Sequence, residues 1–239
     1  MLIIADKRIP QQAKENLLKY GKLVLLETTG ITEESISGHP DVFICETENK
    51  IIISPNLPDK IKRKFSENKI SFNEGEKPVG IDYPEAAHYN AVVKDNCIIH
   101  RNDITDLQII NECRGFKRIN VNQGFTRCSL LPLGNNNFIT SDEGIYKILL
   151  QEKFNALKVS TEGIILPGHK YGFFGGTCGF HNNKVFILGN IKHYYDGEKV
   201  KEFLRSLNLE IVELYDGPLF DGGGIFFLDN SKKFKKRNN

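Results

Sequence analysis

The sequence has no long apolar run, because none of its hydrophobic stretches approaches the roughly 20 residues that a helix needs to cross a bilayer. Its first residues, MLIIADKR, carry no basic leader and include an acid at Asp6, which argues against a signal peptide. The net charge is only +2 over 239 residues, which is too balanced for a protein dedicated to nucleic acid. These absences predict a cytoplasmic protein with no membrane or nucleic-acid partner.

Paired metal-binding and disulfide patterns are missing as well. The five cysteines are odd in number and widely spaced, which argues against a disulfide framework (Cys45, Cys97, Cys113, Cys128 and Cys178). No CxxC or HExxH pattern occurs, and no glycine-rich phosphate-binding fingerprint follows a strand in the required context. We therefore expect free thiols in a reducing compartment, no metal site and no organic cofactor.

The chain instead repeats one arrangement of elements along its length. A segment of small or polar residues leads into a strand, a short turn follows, and then come an apolar strand, a helix and a closing strand. In the fourth unit these parts read GGTCGF, HNN, KVFILGN, DGEKVKEFLRSLN and LEIVEL. Asn and Gly in the short turns favour hairpins, and Val200, Phe203, Leu204 and Leu207 give the helix one apolar face.

Five such units can be recognised, and the last is split between the two ends of the chain. DGGGIFFLDN supplies its first strand, whereas LIIAD, IPQQAKENLLKYG and KLVLLE supply the remaining strand, helix and strand. The second strands of the units end about 40 to 50 residues apart, a period typical of radial repeat architectures (Asp6, Asn56, Asn102, Asp142 and Asn190). Closure by strands from both ends would hold the chain ends together.

This pattern, with the segments GHPD, QGFTRCS, YGFFGGTCG and DGPLFDGGGIFF, resembles the pentein fold, in particular an uncharacterised bacterial branch of it. The resemblance implies an α/β fold: a five-bladed α/β propeller of five ββαβ-like units around a pseudo-fivefold axis. Residues 1–230 would form one domain, and we expect the basic tail 231–239 to be disordered. Arginine deiminases, dimethylarginine dimethylaminohydrolases and amidinotransferases share this fold, as does a non-enzymatic ribosome anti-association factor.

The sequence departs from the pattern that the enzymes of this fold follow. Their nucleophilic cysteine lies in the last unit shortly after a glycine run, where this chain has Gly222–Gly224 followed by Phe227. Their His-x-Asp motif has no match in the fourth unit, but His39-Pro40-Asp41 occurs in the first. Attack by a cysteine of the last unit is therefore excluded. The alternative is a site assembled from residues of other units.

The resemblance implies that strand ends converge on a central pocket, which gives two sets of candidates. The proposed catalytic residues are a histidine acting as general acid or base and one of two nucleophiles (His39, Cys178 and Cys128). The proposed ligand-binding residues are Asp41, Asn90, Arg127, Thr177, Asp142 and Asp221. A non-catalytic alternative stays open for each cysteine. Cys178 would be a small buried hydrophobe, and Cys128 would face away from the pocket because the side chains of adjacent strand residues point to opposite faces.

The implied function is a cysteine-dependent hydrolase or amidinotransferase-like enzyme that acts on C–N bonds of a small polar or cationic, guanidino- or amide-like ligand. The alternative is a non-catalytic binding protein that has lost the C-terminal cysteine. The segment LPGHKYGFFGG is a candidate lid, since glycines supply hinges and aromatic side chains exclude water.

Overall fold

The computed structural model describes residues 1–48 and 50–229. The chain begins with β1 (Leu2–Asp6), α1 (Gln11–Leu18) and β2 (Lys22–Leu26). Next come α2 (Pro40–Phe43), β3 (Ile44–Glu46), β4 (Ile51–Ile53), α3 (Asp59–Glu67) and β5 (Phe72–Glu74). They are followed by β6 (Val92–Lys94), β7 (Cys97–His100), α4 (Leu107–Glu112) and β8 (Lys117–Asn120).

The second half continues with α5 (Thr126–Ser129), β9 (Leu130–Gly134), β10 (Asn137–Thr140), α6 (Glu143–Gln151), β11 (Asn155–Lys158) and β12 (Ile164–Ile165). The remaining elements are β13 (Cys178–His181), β14 (Lys184–Ile187), α7 (Gly197–Ser206), β15 (Glu210–Glu213), β16 (Leu219–Phe220) and β17 (Phe226–Leu228). Single turns of 3-10 helix lie at Glu34–Ile36, Glu85–Ala87, Gly175–Thr177 and Ile191–His193.

Within the described residues, five three-stranded sheets share one strand order: β3–β4–β5, β6–β7–β8, β9–β10–β11, β13–β14–β15 and β17–β1–β2. The middle strand of each pairs antiparallel with the first strand and parallel with the third. The first strands contact one another in sequence, from β3 to β6, β9, β13 and β17. The repeated arrangement and the last sheet built from both ends of the chain, which the sequence predicted, are both present.

Turn chemistry explains why the hairpins form where they do. Both central residues of three turns have positive φ, which is the type I′ geometry that Asn and Asp tolerate: Asp95-Asn96, Asn135-Asn136 and Asn182-Asn183. The turn predicted at TEN in the first unit includes Asn49, which lies outside the described residues. The helices bury one apolar face each, as α7 does with Val200 and Leu204.

The segments that lead into three of the first strands form short helical turns, and these turns position several candidate residues. Pro40–Phe43 and Thr126–Ser129 form short helices, and Gly175–Thr177 forms a 3-10 turn, before the strands begin. Pro40 fits the first position of a helix, where its missing N–H is not needed. The strand expected from residue 222 begins only at Phe226, because Gly223 and Gly224 take φ values of +66° and +80°, outside the strand region.

Among the residues that the structure describes, none of the helices has both the length and the apolar character required to span a bilayer. The predicted tail 231–239 lies outside the described residues.

Candidate active site

Six polar side chains, none more than 4% exposed, meet where the first strands begin. They come from segments of four of the five sheets, as expected if strand ends converge. We call them the polar cluster: Asp6, His39, Asp41, Asn90, Cys128 and Asp221. Buried polar groups carry a desolvation cost unless they are paired, so each contact in this cluster bears on its role.

The closest contact joins the first and third units. The Cys128 thiol donates a hydrogen bond to Asp41, with Sγ and Oδ2 2.8 Å apart. Asn90 holds both partners, because its amide N–H₂ donates to the Asp41 carbonyl at 3.1 Å and lies 3.5 Å from the Cys128 sulfur. The Asn90 Oδ1 accepts hydrogen bonds from the backbone N–H groups of Arg127 and Cys128. Asn90 therefore positions the nucleophile candidate rather than facing open space.

Burial dominates the ionisation of this pair. It raises the pKa of the Cys128 thiol well above its ordinary value, and the neighbouring carboxylates of Asp41 and Asp221 raise it further. Burial also raises the pKa of Asp41 to about 7, while the hydrogen bond from Cys128 lowers it. At neutral pH the thiol is therefore protonated. The cluster holds too little positive charge to balance the negative charge of its carboxylates.

His39 differs from the other members because neither ring nitrogen has a hydrogen-bond partner among the described residues. Its Nε2 lies 3.9 Å from Oδ2 of Asp6, a carboxylate that also accepts hydrogen bonds from the Arg8 guanidinium. Burial lowers the pKa of His39, and the carboxylates of Asp221 and Asp6 act in the opposite direction. The neutral ring can accept a proton from a group placed beside it.

Asp221 ties the cluster to two glycine-containing segments. Its Oδ2 accepts a hydrogen bond from the Phe173 N–H at 2.8 Å, and its Oδ1 accepts one from the Gly223 N–H at 3.1 Å. A Cβ on Gly176 would lie 1.9 Å from Asp221 Oδ1, and one on Gly223 would lie 2.3 Å from His39 Cβ. These glycines are therefore needed so that backbone can approach the buried side chains.

Three members of the cluster line a cavity of about 440 Å³: His39, Cys128 and Asp221. Much of the remaining wall is apolar or aromatic: Ile36, Phe125, Leu166, Tyr171 and Phe173. Its other lining residues are Glu33, His169 and Lys170. The cavity thus has a reactive polar base and a largely apolar wall, which is the usual composition of a small-molecule site.

The segment 166–173 lies over this cavity and supplies five of its lining residues. Its His169 Nε2 lies 2.9 Å from Ser35 Oγ and 3.2 Å from Glu33 Oε1 on the opposite wall. The position fits the lid that the glycines and aromatic residues of LPGHKYGFFGG predict.

Arg127 lies beside the cluster but points elsewhere. Its guanidinium donates hydrogen bonds to the carbonyls of Gly175 and Cys178, at 2.8 and 3.1 Å, and lies over the ring of Phe226. It lines a second, smaller cavity with Phe226 and not the one that Cys128 lines. The structure thus places this predicted ligand-binding residue as a bridge between the third and fourth units.

Cys178 and Thr177 lie in a different environment from Cys128. Cys178 is fully buried in an apolar cluster that includes Phe174 and Leu219, and burial raises the pKa of its thiol to about 12. Its sulfur lies 3.2 Å from Thr177 Oγ1, whose hydroxyl donates to the Phe174 carbonyl. These surroundings are typical of a free cysteine that packs as a small hydrophobe.

Two further sequence-based assignments have clear positions. Asp142 is the N-cap of α6 and accepts a hydrogen bond from the Ile145 N–H at 2.8 Å, so its carboxylate serves the helix. Phe227, the residue that the sequence resemblance sets against the enzymes' cysteine, packs in the core against the rings of Phe186 and His181.

Sequence reasoning missed the residues that shape the site around its reactive groups. Arg8 pairs with Asp6, and Phe125 and Ile36 form cavity wall. Phe125 belongs to QGFTRCS but was not singled out there, and Arg8 and Ile36 belong to no motif named above. Ile36 and Phe125 do lie within three residues of His39 and Cys128, so proximity to a candidate was the available signal.

Residues 4–226 match the family of unknown function DUF6873. A comparison with curated proteins found no match. Solved structures do share the fold. Dimethylarginine dimethylaminohydrolase from Pseudomonas aeruginosa, a cysteine-to-serine mutant in complex with citrulline, is 14% identical, with a TM-score of 0.55 over 89% of this chain and 91% of that one.

Agmatine deiminase from C. jejuni is 14% identical, with a TM-score of 0.54 over 89% of this chain and 74% of that chain. An amidinotransferase from Microseira wollei is 10% identical, with a TM-score of 0.52 over 89% and 87% of the two chains. These proteins are pentein-fold enzymes, and the chain described above has the same mixed α/β fold.

Proposed function

The chain belongs to the family of unknown function DUF6873 and has the pentein fold, and we propose that it is a cysteine-dependent enzyme acting on a C–N bond of a small cationic ligand. The observation that carries this proposal is the contact between Cys128 and Asp41 beside a histidine without hydrogen-bond partners. Ligand atoms of Cys128, Asp41 and His39 lie within 4.8 Å of one another, and two of these side chains line the same cavity. In this proposal the nucleophile and the general base lie at the cavity, while Asp41, which does not line it, acts from behind Cys128.

The proposed reaction begins with the bound amidinium or guanidinium carbon next to Cys128. His39 accepts the thiol proton while the sulfur attacks the carbon, which forms an S–C bond and a tetrahedral adduct. The protonated His39 then gives its proton to the departing nitrogen, the C–N bond breaks, and an amine leaves. Water or a second amine then attacks the remaining S-bound amidino carbon and gives a proton to His39. The C–S bond breaks, the sulfur leaves as thiolate, and His39 returns that proton to it, which restores the thiol and the neutral imidazole.

Charge explains how a thiol with a raised pKa can take part. A cation placed between Asp41 and Asp221 would offset the two carboxylates that disfavour the Cys128 thiolate. The same cation would favour ionised Asp41, whose forked oxygens suit the N–H groups of an amidinium. The thiol is therefore expected to become a nucleophile mainly when a cationic ligand is bound.

The walls of the cavity narrow the ligand class. Phe125, Tyr171 and Phe173 favour an apolar or flat substituent next to the cationic head. The one lining residue with a permanent positive charge is Lys170, which could receive an acidic group at the far end of the ligand. Arginine derivatives, agmatine and small amides, screened by thermal shift, would test this class, and Asp41→Asn should weaken stabilisation by any cation that binds.

A second candidate function is a non-catalytic binding protein of the same fold. It is favoured by Phe227 at the position of the usual nucleophile and by the raised pKa of the Cys128 thiol. In that case a cationic ligand would bind between Asp41 and Asp221 without an adduct to sulfur.

The wider setting of the site also belongs to this proposal. The successive contacts between first strands, together with the hydrogen bond from the Asp41 N–H to the Gly223 carbonyl, support closure of the five units into a five-bladed propeller. The polar cluster would then lie on its axis, within one domain of residues 1–230. We further propose that the protein acts in the cytoplasm on a small molecule, without a nucleic-acid partner.

Alkylation with two matched probes tests the proposal directly. Chloroacetamidine carries an amidinium next to its leaving chloride, and chloroacetamide is the neutral counterpart of nearly the same size. Peptide mass spectrometry should find the chloroacetamidine adduct on Cys128. The ratio of the alkylation rate with chloroacetamidine to that with chloroacetamide should exceed the same ratio for glutathione by at least about tenfold. A cationic probe that lowers the thiol pKa by one unit raises the thiolate fraction tenfold.

Cys178→Ala is the matched control, because it removes a buried cysteine outside the cavity and should leave this labelling unchanged. Cys128→Ser should abolish the adduct and, because its hydroxyl keeps a donor for Asp41, leave the melting temperature near that of the wild type. Labelling of Cys128 with no preference for the cationic probe would favour the binding protein.

A further inference from the structure

The polar cluster brings together three side chains of the kinds that bind transition metals. The thiol of Cys128, a ring nitrogen of His39 and a carboxylate oxygen of Asp41 all lie within 4.8 Å of one another, and all three residues are buried. We propose that these three residues form a binding site for a divalent ion of the zinc class.

Unpartnered polar atoms provide an independent reason to expect a ligand there. Both ring nitrogens of His39 and the Oδ1 of Asp41 are buried without a hydrogen-bond partner in the described chain. A buried donor or acceptor without a partner carries a free-energy cost, and outside His39 and Asp41 only Thr32 and Ser129 have such a side-chain atom among the described residues. An ion bound by His39 and Asp41 satisfies one nitrogen and the orphaned oxygen together.

The donor set selects the type of metal. Thiolate and imidazole suit Zn²⁺ and its neighbours in the first transition row, whereas Ca²⁺ and Mg²⁺ prefer oxygen ligands alone. Tetrahedral zinc with bonds of about 2.0–2.3 Å holds its ligand atoms roughly 3.5 Å apart, a spacing that small side-chain movements would reach here. The thiolate and the carboxylate together balance the two positive charges of the ion.

The surroundings complete the site. Asp6 Oδ2 lies 3.9 Å from His39 Nε2, where a carboxylate can orient a metal-bound imidazole and leave Nδ1 for the ion. Asp221 already accepts two backbone hydrogen bonds, so we do not count it as a ligand. His39 and Cys128 both line the 440 Å³ cavity, which leaves the fourth position open to water or to a small molecule.

Metal binding and alkylation of Cys128 exclude each other, because both use the same sulfur lone pair. The inference nevertheless does not rest on the proposed enzyme activity, since metal affinity is measured without any substrate. A protein that binds zinc but never forms an amidinium adduct would retain this site and lose the proposed function. The reverse result would remove only the metal site.

Cobalt provides a direct readout because a thiolate bound to Co²⁺ gives an intense near-ultraviolet charge-transfer band. Protein stripped with a chelator should bind one equivalent of Co²⁺ with this band, and Zn²⁺ should displace it. Cys128→Ser should lose the band, and His39→Gln should weaken Zn²⁺ binding by about 100-fold or more in competition with a chromophoric chelator.

Cys178→Ser is the matched control and should keep both the band and the affinity, since its sulfur lies outside the triad of ligands. Pre-incubation with Zn²⁺ should also protect Cys128, but not Cys45, from alkylation. Absence of the cobalt band in the wild type, or a band that persists in Cys128→Ser, would overturn the proposal irrespective of how well the variants fold.

Discussion

Cys128 and Cys178 both lie near the start of the first strand of their units, but at different register positions and in different surroundings. The Ser129 carbonyl accepts a hydrogen bond from the Ser141 N–H, as the Thr177 carbonyl does from the Leu188 N–H. Cys178 therefore corresponds to Leu130, and Cys128 lies two positions earlier. Each belongs to or directly follows a short helical turn ahead of a strand. The Cys128 thiol faces Asp41 and a cavity, whereas the Cys178 thiol contacts Thr177 within an apolar cluster. The two cysteines thus differ both in their position within the repeated unit and in the side chains around them.

Two buried histidines repeat this contrast. His100 has a partner at each ring nitrogen, the Thr105 hydroxyl at 2.8 Å and the Gly124 carbonyl at 2.9 Å, whereas His39 has none in the described chain. A satisfied buried polar group contributes to stability, and an unsatisfied one reduces it unless a ligand completes it. The two pairs thus contrast buried polar groups whose partners lie within the fold with groups that lie at the cavity.

The largest expected effect concerns the two histidines and reactivity. His39→Gln should slow alkylation of Cys128 by chloroacetamidine by about 100-fold or more, which is the usual contribution of a general base. His100→Gln should leave that rate within a few-fold, because His100 contacts neither the cavity nor the thiol. Rates measured by mass spectrometry at pH 7 check this, and equal slowing by both variants would contradict the distinction.

The pH dependence of stability should come in part from His100. Burial lowers the pKa of its imidazole from 6.5 to about 4 in the folded protein. Above pH 6.5 the ring is neutral in both states, so His100 contributes no pH dependence there. As the pH falls from 6.5 towards 4, only the unfolded chain takes up this proton, and the free energy of unfolding falls by on the order of 3 kcal/mol.

Denaturant unfolding across this pH range checks the expectation. His100→Gln should be less stable than the wild type at pH 7 but should lose less stability on acidification. Parallel curves for the two proteins would show that other groups, such as His39 and His88, whose pKa values burial also lowers, carry the effect.

Substitution of Gly176 tests how tightly the backbone packs against the polar cluster. Because a Cβ there would lie 1.9 Å from Asp221 Oδ1, Gly176→Ala should cost about 1–3 kcal/mol of unfolding free energy. Gly144→Ala is the comparison, since it lies in the first turn of α6 and its Cβ would approach nothing closer than 3.2 Å. That variant should be neutral or stabilising in the same thermal melt, and equal losses at both positions would refute this account.

The smallest expected effect concerns the two cysteines and stability. Cys178→Ser replaces a sulfur in an apolar cluster with a hydroxyl that needs a partner, which should cost about 1–3 kcal/mol. Cys128→Ser keeps a donor for Asp41 and should cost less than about 1 kcal/mol. Urea titrations of both variants measure the loss of unfolding free energy. A larger loss for Cys128→Ser than for Cys178→Ser would indicate that Cys128 has a structural role.

The sequence was informative where the signal is local and repeats. Asn-rich turns and the helix face of Val200 and Leu204 are set by neighbours in the chain, and the structure has both of them. The last sheet was predictable because its missing strands were present at the other end of the chain.

The choice between Cys128 and Cys178 could not be made from the sequence, because it depends on residues far away in the chain. Asp41 lies 87 positions from Cys128, and no local pattern indicates that the two meet. The expectation that no metal site exists used sequence spacing alone, whereas the ligands proposed above come from separate units. Likewise the sequence predicts Arg127 as a ligand-binding residue, because nothing local indicates that its guanidinium donates hydrogen bonds to two distant backbone carbonyls.

The pairing of β1 with β17 has a consequence for the order of folding. Leu2 pairs with Leu228, so this contact closes almost the whole length of the chain, and its loop entropy makes it a late step. Asp6 follows directly along β1, and Asp221 and Gly223 lie just before β17, so the environment of His39 is assembled only in that step. A partly folded chain would therefore carry Cys128 and Asp41 without a complete site, and reactivity at Cys128 would report the arrival of the final native contacts.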